Sequence, residues 1–224
     1  MTNDKKWAAI IVGPPGSGKD TQAELLAREL RLTEIKTSDI INDKFAQADP
    51  DDPFMQEQIA RKKAGELVDS KIVERWVEEA VHTAAAGDTG IVLTGSPRTL
   101  EEAQVIMPIL DNLYDKNTIK VVLITLSEEE SVKRNSKRRV CQANGHPIWD
   151  TEQNKDLTAC PEDGSPIILR GDDTPETIIN RYQVYLRETA PVLDWLKSQG
   201  YNIATVNGEQ SIEDVHRDML NSLW

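Results

Sequence analysis

The chain has 224 residues, of which 38% are hydrophobic and 29% charged, and its formal net charge at pH 7 is −12. This composition is typical of a globular protein, no apolar run approaches the roughly 20 residues of a membrane-spanning helix, and the polar start lacks the apolar stretch of a signal peptide. The negative charge argues against binding to a nucleic-acid backbone, so we expect a cytoplasmic monomer with no nucleic-acid or membrane partner.

Apolar, β-rich runs alternate with helical patterns along the chain. The runs predict strands at residues 7–12, 33–37, 91–94, 119–126 and 201–206, and helical periodicity appears at residues 23–30, 73–80 and 178–196. This alternation predicts an α/β fold with a central parallel five-stranded sheet between layers of helices. Two segments without the pattern, at residues 42–71 and 141–171, predict insertions on a core formed by residues 1–41, 72–140 and 172–224.

A glycine-rich segment, Gly13–Lys19, joins the first predicted strand to the first predicted helix. It has the G-x-x-x-x-G-K pattern of a phosphate-binding loop, in which glycines let the backbone wrap a polyphosphate and the lysine holds the β- and γ-oxygens. The hydroxyl that usually follows the lysine comes one residue later, at Thr21. The predicted triphosphate site comprises Gly13, Gly16, Ser17, Gly18, Lys19, Asp20 and Thr21.

From this loop onward the sequence resembles the adenylate kinase family along nearly its whole length. Residues 19–22 resemble the family's loop, which usually has glycine in place of Asp20. Residues 35–39, 65–68 and 94–99 are similar to its I-S-T-G-D, G-K-L-V and D-G-F-P-R-T segments. Residues 138–139 and 169–173, and then Arg181, match its lid arginines and acids. Several matches in the right order are more specific than the loop alone.

The resemblance implies a P-loop three-layer fold and the reversible transfer of the γ-phosphoryl group of ATP to AMP, giving two ADP, with Mg²⁺. It implies that residues 42–71 form a monophosphate-binding flap and residues 141–171 a lid, and that their closure excludes water. It implies that Asp172 and Asp173 orient lid arginines. Positively charged side chains would stabilise the transferring group, and this clamp would comprise Lys19, Arg98, Arg134, Arg138, Arg170 and Arg181.

By the same resemblance, Arg134 and Arg138 also bind ATP. The implied AMP site comprises Thr37, Asn42, Val68, Gly95, Arg98, Glu102, Arg170 and Arg181. Asn42 stands where the family has an arginine on the acceptor phosphate, and Lys44 is close enough in sequence to replace it. Thr94 replaces an acid that helps to hold Mg²⁺ through water, which leaves Asp39 as the family-matched acid near the metal.

Glu102 replaces a glutamine that reads the acceptor base. A carboxylate accepts hydrogen bonds but cannot donate one to adenine N1 unless it is protonated, and it matches the N–H groups of guanine better. Thr37, in contrast, is the family's adenine-type residue. We therefore expect AMP as the acceptor, and two alternatives stay open: a relative that prefers another acceptor such as GMP, and a catalytically weakened nucleotide-binding relative.

The two cysteines of the chain, Cys141 and Cys160, fall in the lid segment. Many bacterial relatives carry two C-x-x-C or C-x-x-D pairs here that bind zinc. In this chain the pairs read Cys141 with Asn144 and Cys160 with Asp163, and His146 lies near Asn144. Cysteine and histidine at such spacing suit tetrahedral zinc. The candidate ligands are Cys141, His146, Cys160 and Asp163, and the alternative is a metal-free lid held by hydrogen bonds and packing.

Overall fold

The computed structural model describes residues 6–143, 145–148, 154–171 and 173–223. In these ranges the strands are β1 (Ala8–Val12), β2 (Thr33–Lys36), β3 (Ile91–Thr94), β4 (Ile119–Thr125), β5 (Arg139–Cys141), β6 (Pro147–Ile148), β7 (Ile167–Leu169) and β8 (Ile203–Asn207). The helices are α1 (Lys19–Leu30), α2 (Thr37–Ala46), α3 (Pro53–Lys63), α4 (Ser70–Ala85), α5 (Leu100–Tyr114), α6 (Glu128–Asn135), α7 (Pro175–Val184), α8 (Ala190–Ser198) and α9 (Ile212–Leu223).

The central sheet is parallel and has, among the described residues, five strands in the order β2-β3-β1-β4-β8. All of β1 is buried, as expected for a strand with helices on both faces. Because successive side chains point to opposite faces, Ile10 packs into one buried cluster and Ile11 into the other. The predicted α/β fold with a parallel five-stranded sheet is therefore confirmed.

Helices cover the two faces of this sheet with regularly spaced apolar residues. On one face α4 contributes Val73, Val77 and Val81, at helical spacing, to the larger cluster. On the other face Leu26 of α1 packs with Met219 of α9. Burying a side chain of this size contributes about 1.5–3 kcal/mol before the entropy cost, so these stripes fix the helices to the sheet. No helix in the described ranges combines the length and apolar character needed to cross a bilayer.

The order of the strands places a crevice at the carboxyl edge of the sheet. The chain leaves β1 toward β2 on one side, whereas it leaves β4 toward β8 on the other. In open α/β sheets, ligands bind where the connections of neighbouring strands diverge in this way. The segments that follow β1 and β3 also meet there, because β1 and β3 are direct neighbours. The fold thus brings the predicted phosphate loop and the segment containing Arg98 to one place.

The two predicted insertions differ in structure. The flap segment contains α3, which begins at Pro53 after Asp52 caps it, with Asp52 Oδ1 accepting from the Phe54 backbone N–H at 2.9 Å. The predicted boundary at residue 42 falls inside α2, and the domain boundaries stay predictions. The lid segment contains most of a separate antiparallel sheet with the strand order β6-β5-β7. This sheet has its own small buried cluster, which includes Cys141, Ile148 and Cys160.

The helical pattern predicted at residues 178–196 corresponds to two α-helices joined without a break. Thr174 caps α7 by accepting from the Thr177 backbone N–H at 3.2 Å, and Pro175 occupies the first turn, where its missing N–H is not needed. A π-helical turn at Tyr185–Thr189 then leads into α8. This turn lines the site described next, as π-turns often do.

Candidate functional site

The phosphate loop forms a cradle at the start of α1. Gly16 and Gly18 have φ values of 77° and 85°, which side chains with a Cβ rarely adopt. A Cβ at Gly13 would lie 2.6 Å from Ser17 Oγ, so a larger residue does not fit there. The loop is held from outside by α6, whose Ser131 Oγ donates to the Pro15 carbonyl at 2.6 Å. A helix N-terminus with exposed backbone N–H groups attracts anions, and a polyphosphate fits this cradle.

A central cavity opens in front of this loop, lined by side chains from the core, the flap segment and the lid segment. The positively charged residues among them are Lys19, Lys62, Arg98, Arg138, Arg170 and Arg181. Of the other predicted site residues, the cavity is lined by Gly13, Gly16, Asp20, Thr37, Val68, Gly95 and Glu102. The fold therefore gathers most of the predicted clamp and most of the predicted AMP site around one space.

Lys19 and Asp20 lie side by side at the floor of the cavity. Burial lowers the pKa of Lys19, and the guanidinium groups of the cavity lower it further. Burial would raise the pKa of Asp20, but the Lys19 ammonium and a hydrogen bond with Thr94 outweigh it, so that pKa lies below its usual range. Asp20 is thus ionised at neutral pH. The cations around Lys19 still repel it, and a bound polyphosphate would relieve that repulsion.

Asp173 connects two of the arginines. Its Oδ2 accepts from Arg138 Nε at 2.9 Å, and its Oδ1 lies 2.6 Å from Arg181 Nη1. Only 2% of the Asp173 side chain is exposed, so both contacts are shielded from water. Its backbone N–H donates to the Arg170 carbonyl at 3.2 Å, which also ties in the third arginine. Asp173 makes the contacts expected of a residue that orients arginines, whereas Asp172 lies outside the described residues.

Glu102 lies beneath Arg98 and is almost fully buried, at 2% exposure. Its Oε2 accepts from the Arg98 backbone N–H at 2.7 Å and from Ser96 Oγ at 3.1 Å. Burial raises the pKa of Glu102, and the Arg98 N–H and charge act in the opposite direction. Thr99 caps α5 by accepting from the Glu102 N–H at 3.2 Å, so this pair resembles a capping box. Glu102 therefore also has a structural role in fixing the segment that carries Arg98.

The acceptor side of the cavity is completed by Thr37 and Gly95. Thr37 Oγ1 donates to the Thr94 carbonyl at 2.9 Å, which joins the start of α2 to the end of β3. Gly95 has φ 82°, and a Cβ there would lie 3.1 Å from Thr37 Cβ. Close approach of these two segments thus depends on glycine at position 95, and it leaves room for a ligand beside Val68.

Several predicted site residues do not line the cavity. Arg134 is held on α6 by Glu130, with 2.9 Å between Nε and Oε1. Asp39 is exposed, and its Oδ1 accepts from Ser38 Oγ at 3.3 Å. Asn42 is also exposed. Ser17, Gly18 and Thr21 belong to the loop and to the start of α1 without lining the cavity. The functions assigned to these residues stay predictions.

Lys62 is the cavity cation that sequence reasoning missed. Its Nζ donates to Asn42 Oδ1. Lys44, which sequence proximity suggested as the substitute for an arginine at position 42, forms an exposed ion pair with Glu79 at 3.3 Å and does not line the cavity. The sequence holds no local signal for the Lys62 contact, because it depends on how α2 and α3 pack.

The lid segment contains a cluster of potential metal ligands. Ligand atoms of Cys141, His146 and Cys160 all lie within 4.8 Å of one another. His146 Nε2 is 3.0 Å from Cys160 Sγ, and Asp163 Oδ2 is 3.3 Å from Cys141 Sγ. The structure therefore groups three of the four predicted zinc ligands, and the fourth, Asp163, lies beside Cys141. Asn144, the alternative partner in the first pair, lies outside the described residues.

Comparison with known proteins gives a consistent result. A family model described as adenylate kinase matches residues 11–201. A protein named adenylate kinase from Petrotoga mobilis is 35% identical over 216 residues, which cover 96% of each chain. Proteins of the same name from Chloroherpeton thalassium and Staphylococcus aureus are 34% and 30% identical, and the alignments cover 94% and 96% of the present chain and 94% and 97% of theirs.

Proposed function

The chain belongs to the adenylate kinase family, and from that premise we propose how its residues carry out the family's reaction, the reversible transfer of the γ-phosphoryl group of ATP to AMP to give two ADP. It is a phosphotransferase that binds ATP, AMP and ADP. One observation carries the assignment of residues: Lys19, Arg98, Arg138, Arg170 and Arg181 surround a single cavity at the N-terminus of α1. Binding alone would not require so many cations in one place.

In the proposed arrangement, the triphosphate of ATP lies in the phosphate loop with Lys19 against its β- and γ-oxygens. The phosphate of AMP lies on the other side of the cavity, against Arg98. Phosphoryl transfer passes through a loose transition state whose charge is spread over the equatorial oxygens, so catalysis consists mainly of positioning and of cationic stabilisation. Arg138 and Arg181 supply that charge in fixed orientations because both are bound to Asp173.

Water must be excluded from this site, because its attack on ATP would waste the phosphoryl group. The flap and lid segments both contribute to the cavity lining, through Val68 from one and Arg170 from the other. We assign them the closing movement that shields the reaction. We also propose a monomer, and sedimentation at the mass of a dimer would contradict this.

Adenylate kinases use Mg²⁺ with ATP, and hard cations of this kind prefer oxygen ligands. Two carboxylates near the phosphate loop fit the ion: Asp39, as the resemblance implies, and Asp20, which lines the cavity and is ionised beside Thr94. Asp20 supplies an acid close to the position where Thr94 replaces the family's own. When bound with ATP, Mg²⁺ would neutralise part of the negative charge of the phosphate groups. Binding of Mn²⁺ to the ATP complex, followed by EPR, should weaken in Asp20→Asn, and unchanged affinity would contradict this assignment.

For the lid segment we propose a structural zinc ion bound by Cys141, His146, Cys160 and Asp163. Two thiolates, one imidazole and one carboxylate make a donor set typical of tetrahedral zinc. Support comes from the proximity of Cys141, His146 and Cys160 and from the contact of Asp163 with Cys141. Cys141 ends β5, and the other three precede β6 or β7. The ion would tie these turns together, while the reaction takes place elsewhere, in the central cavity.

A coupled assay of ADP formation tests the proposed function most directly. ATP and Mg²⁺ are supplied with AMP, GMP, CMP or UMP as the acceptor, and we expect AMP to give the highest kcat/KM. A preference for GMP would assign the acceptor site to another base. Absence of ADP with every acceptor, from protein that is folded and binds ATP, would contradict the function.

A further inference from the structure

One departure from the family pattern on the acceptor side concerns the charge that binds the acceptor phosphate. Asn42 occupies the place of an arginine that binds the acceptor phosphate, so a positive charge is missing at that point of α2. Asn42 is exposed and does not line the cavity. Its side-chain oxygen instead accepts a hydrogen bond from Lys62, on the neighbouring helix α3. The two residues are separated by 20 positions in sequence and meet through packing of the flap segment.

Lys62 is placed to bring a charge into the cavity. Its side chain is half-buried and lines the same space as Arg98 and Arg181, whereas the next residue, Lys63, is exposed and outside it. Gln58 lies one helical turn earlier on the same face of α3 and is buried, with its Oε1 accepting from the Asp69 N–H at 2.9 Å. This contact fixes the inward face of α3, and therefore the direction in which Lys62 points.

The ammonium group of Lys62 lies beside an aromatic ring. It lies 5.6 Å from the centre of the Phe45 ring, which packs edge-on against Trp76 with 6.4 Å between ring centres. The face of an aromatic ring attracts a cation, and the ring and the Asn42 amide oxygen are both uncharged. A lysine on a flexible stem can then turn toward a dianionic phosphate when one enters.

We propose that Lys62 is the acceptor-phosphate cation of this chain, and that it takes the place of the arginine absent at position 42. The proposal rests on the proposed function, because the phosphate it binds is that of AMP. The charge would then come from α3 rather than from α2, and it would enter the cavity that Arg98 also lines. A single ammonium group lacks the two parallel hydrogen bonds of a guanidinium, so it positions the phosphate less rigidly.

The first test compares Lys62→Met with Lys63→Met, a matched control on the exposed side of α3. For Lys62→Met we expect the KM for AMP to rise by about 10- to 100-fold, the loss typical of a hydrogen bond to a charged group, while the KM for ATP stays within about twofold. Lys63→Met should leave both constants unchanged. Adding Asn42→Arg to Lys62→Met should restore most of the AMP affinity, because it returns the charge to α2.

Calorimetric binding separates this role from a structural one. AMP should bind Lys62→Met about 10- to 100-fold more weakly than wild type, whereas adenosine, which has no phosphate, should bind both equally. Equal weakening of AMP and adenosine, or unchanged AMP binding, would overturn the proposal. If wild type binds AMP but forms no ADP, the proposed function fails while the calorimetric comparison still decides the role of Lys62.

Discussion

Arg138 and Asp173 form a shielded ion pair that links the strand leading into the lid segment to the start of α7. Nε and Nη2 of Arg138 lie 2.9 and 2.7 Å from Asp173 Oδ2, and Asp173 also binds Arg181. Burial lowers the pKa of Arg138, as does the nearby Arg170, while Asp173 opposes both. The Asp173 carboxylate thus offsets the repulsion between the Arg138 and Arg181 guanidinium groups.

We expect Asp173→Asn to lower both stability and turnover. The substitution removes the carboxylate charge that binds Arg138 and Arg181, which should cost about 1–3 kcal/mol of unfolding free energy. It should also lower kcat by about tenfold or more, because Arg138 and Arg181 lose the partner that orients them. Urea unfolding and steady-state kinetics measure the two effects. Glu176→Gln, an exposed change on α7, is the control. Wild-type kcat in Asp173→Asn would show that the orientation of these arginines does not limit the reaction.

Replacement of Lys19 by methionine should abolish phosphoryl transfer without unfolding the protein. Lys19 sits at the end of the phosphate loop and contributes charge rather than core packing. Removing a preorganised group that stabilises developing charge costs about 10²-fold or more in kcat. Circular dichroism and thermal melting should match wild type. The control, Lys197→Met, removes an exposed lysine that pairs with Asp194 on α8. Activity of Lys19→Met within a few-fold of wild type would reject the assigned role.

Glu102→Gln should improve AMP as an acceptor. If Glu102 reads the acceptor base, its ionised carboxylate would face the N1 acceptor of adenine without a proton to donate, whereas a glutamine amide could donate to N1 and accept from the amino group. A gained neutral hydrogen bond predicts a KM for AMP about fivefold lower. Because burial raises the pKa of Glu102, the protonated form extends to higher pH than in a free glutamate, and the wild-type KM should fall as pH is lowered toward that pKa. The glutamine variant should lack this dependence.

The pH dependence of the unfolding free energy gives a second test of the protonation of Glu102. A pKa raised on folding stabilises the protein fully below the pKa of the unfolded chain, and that contribution is lost as pH rises through the folded pKa. Glu102→Gln should therefore gain stability relative to wild type over this interval, as followed by urea unfolding at a series of pH values. A lower AMP turnover in the variant, together with a wild-type preference for GMP, would instead assign Glu102 to a guanine base.

Metal removal tests the lid cluster. We expect about one zinc ion per chain by elemental analysis, because the four proposed ligands would fill a tetrahedral shell and leave no position open. A chelator should lower the melting temperature more than the initial rate at room temperature, since a structural metal contributes to folding but not to the reaction. His146→Ala should lose the metal, whereas His82→Ala, at an exposed position of α4, should keep it. Metal-free protein that does not respond to added zinc would favour a lid held by hydrogen bonds.

The sequence predicts the sheet and the phosphate loop well because both depend on local patterns. Strand ends are less certain, and Tyr201 shows why. The apolar run predicts a strand that begins at Tyr201, but β8 begins at Ile203. Tyr201 instead contacts other elements: its hydroxyl donates to Asp111 at 2.7 Å, and Lys116 Nζ lies 4.4 Å from its ring centre. A side chain buried by contacts from other elements looks, in sequence, like one buried in a strand.

The composition of the site is predictable only in part, for a related reason. Family spacing places Arg98, Arg138 and Arg181 at the cavity, because the strands and helices that carry them are fixed by the core. The contact of Lys62 with Asn42 depends on the packing of α2 against α3, which no periodicity encodes. Arg134 matches the same spacing, yet an acid one helical turn away on α6 holds it outside the cavity lining. Which partner such an arginine binds can be seen only in the three-dimensional structure.

The pairing of β5 with β7 has a consequence for how the chain can change over evolution. Cys141 lies opposite Ile167, so the chain leaves the core and returns to it through neighbouring strands that are about 5 Å apart. A span this short can be closed by a tight turn, and replacing residues 142–166 leaves the connectivity of the central sheet unaltered. The segment can therefore be shortened, exchanged or given new ligands independently of the core. A metal site here can be gained or lost while the catalytic cavity keeps its form.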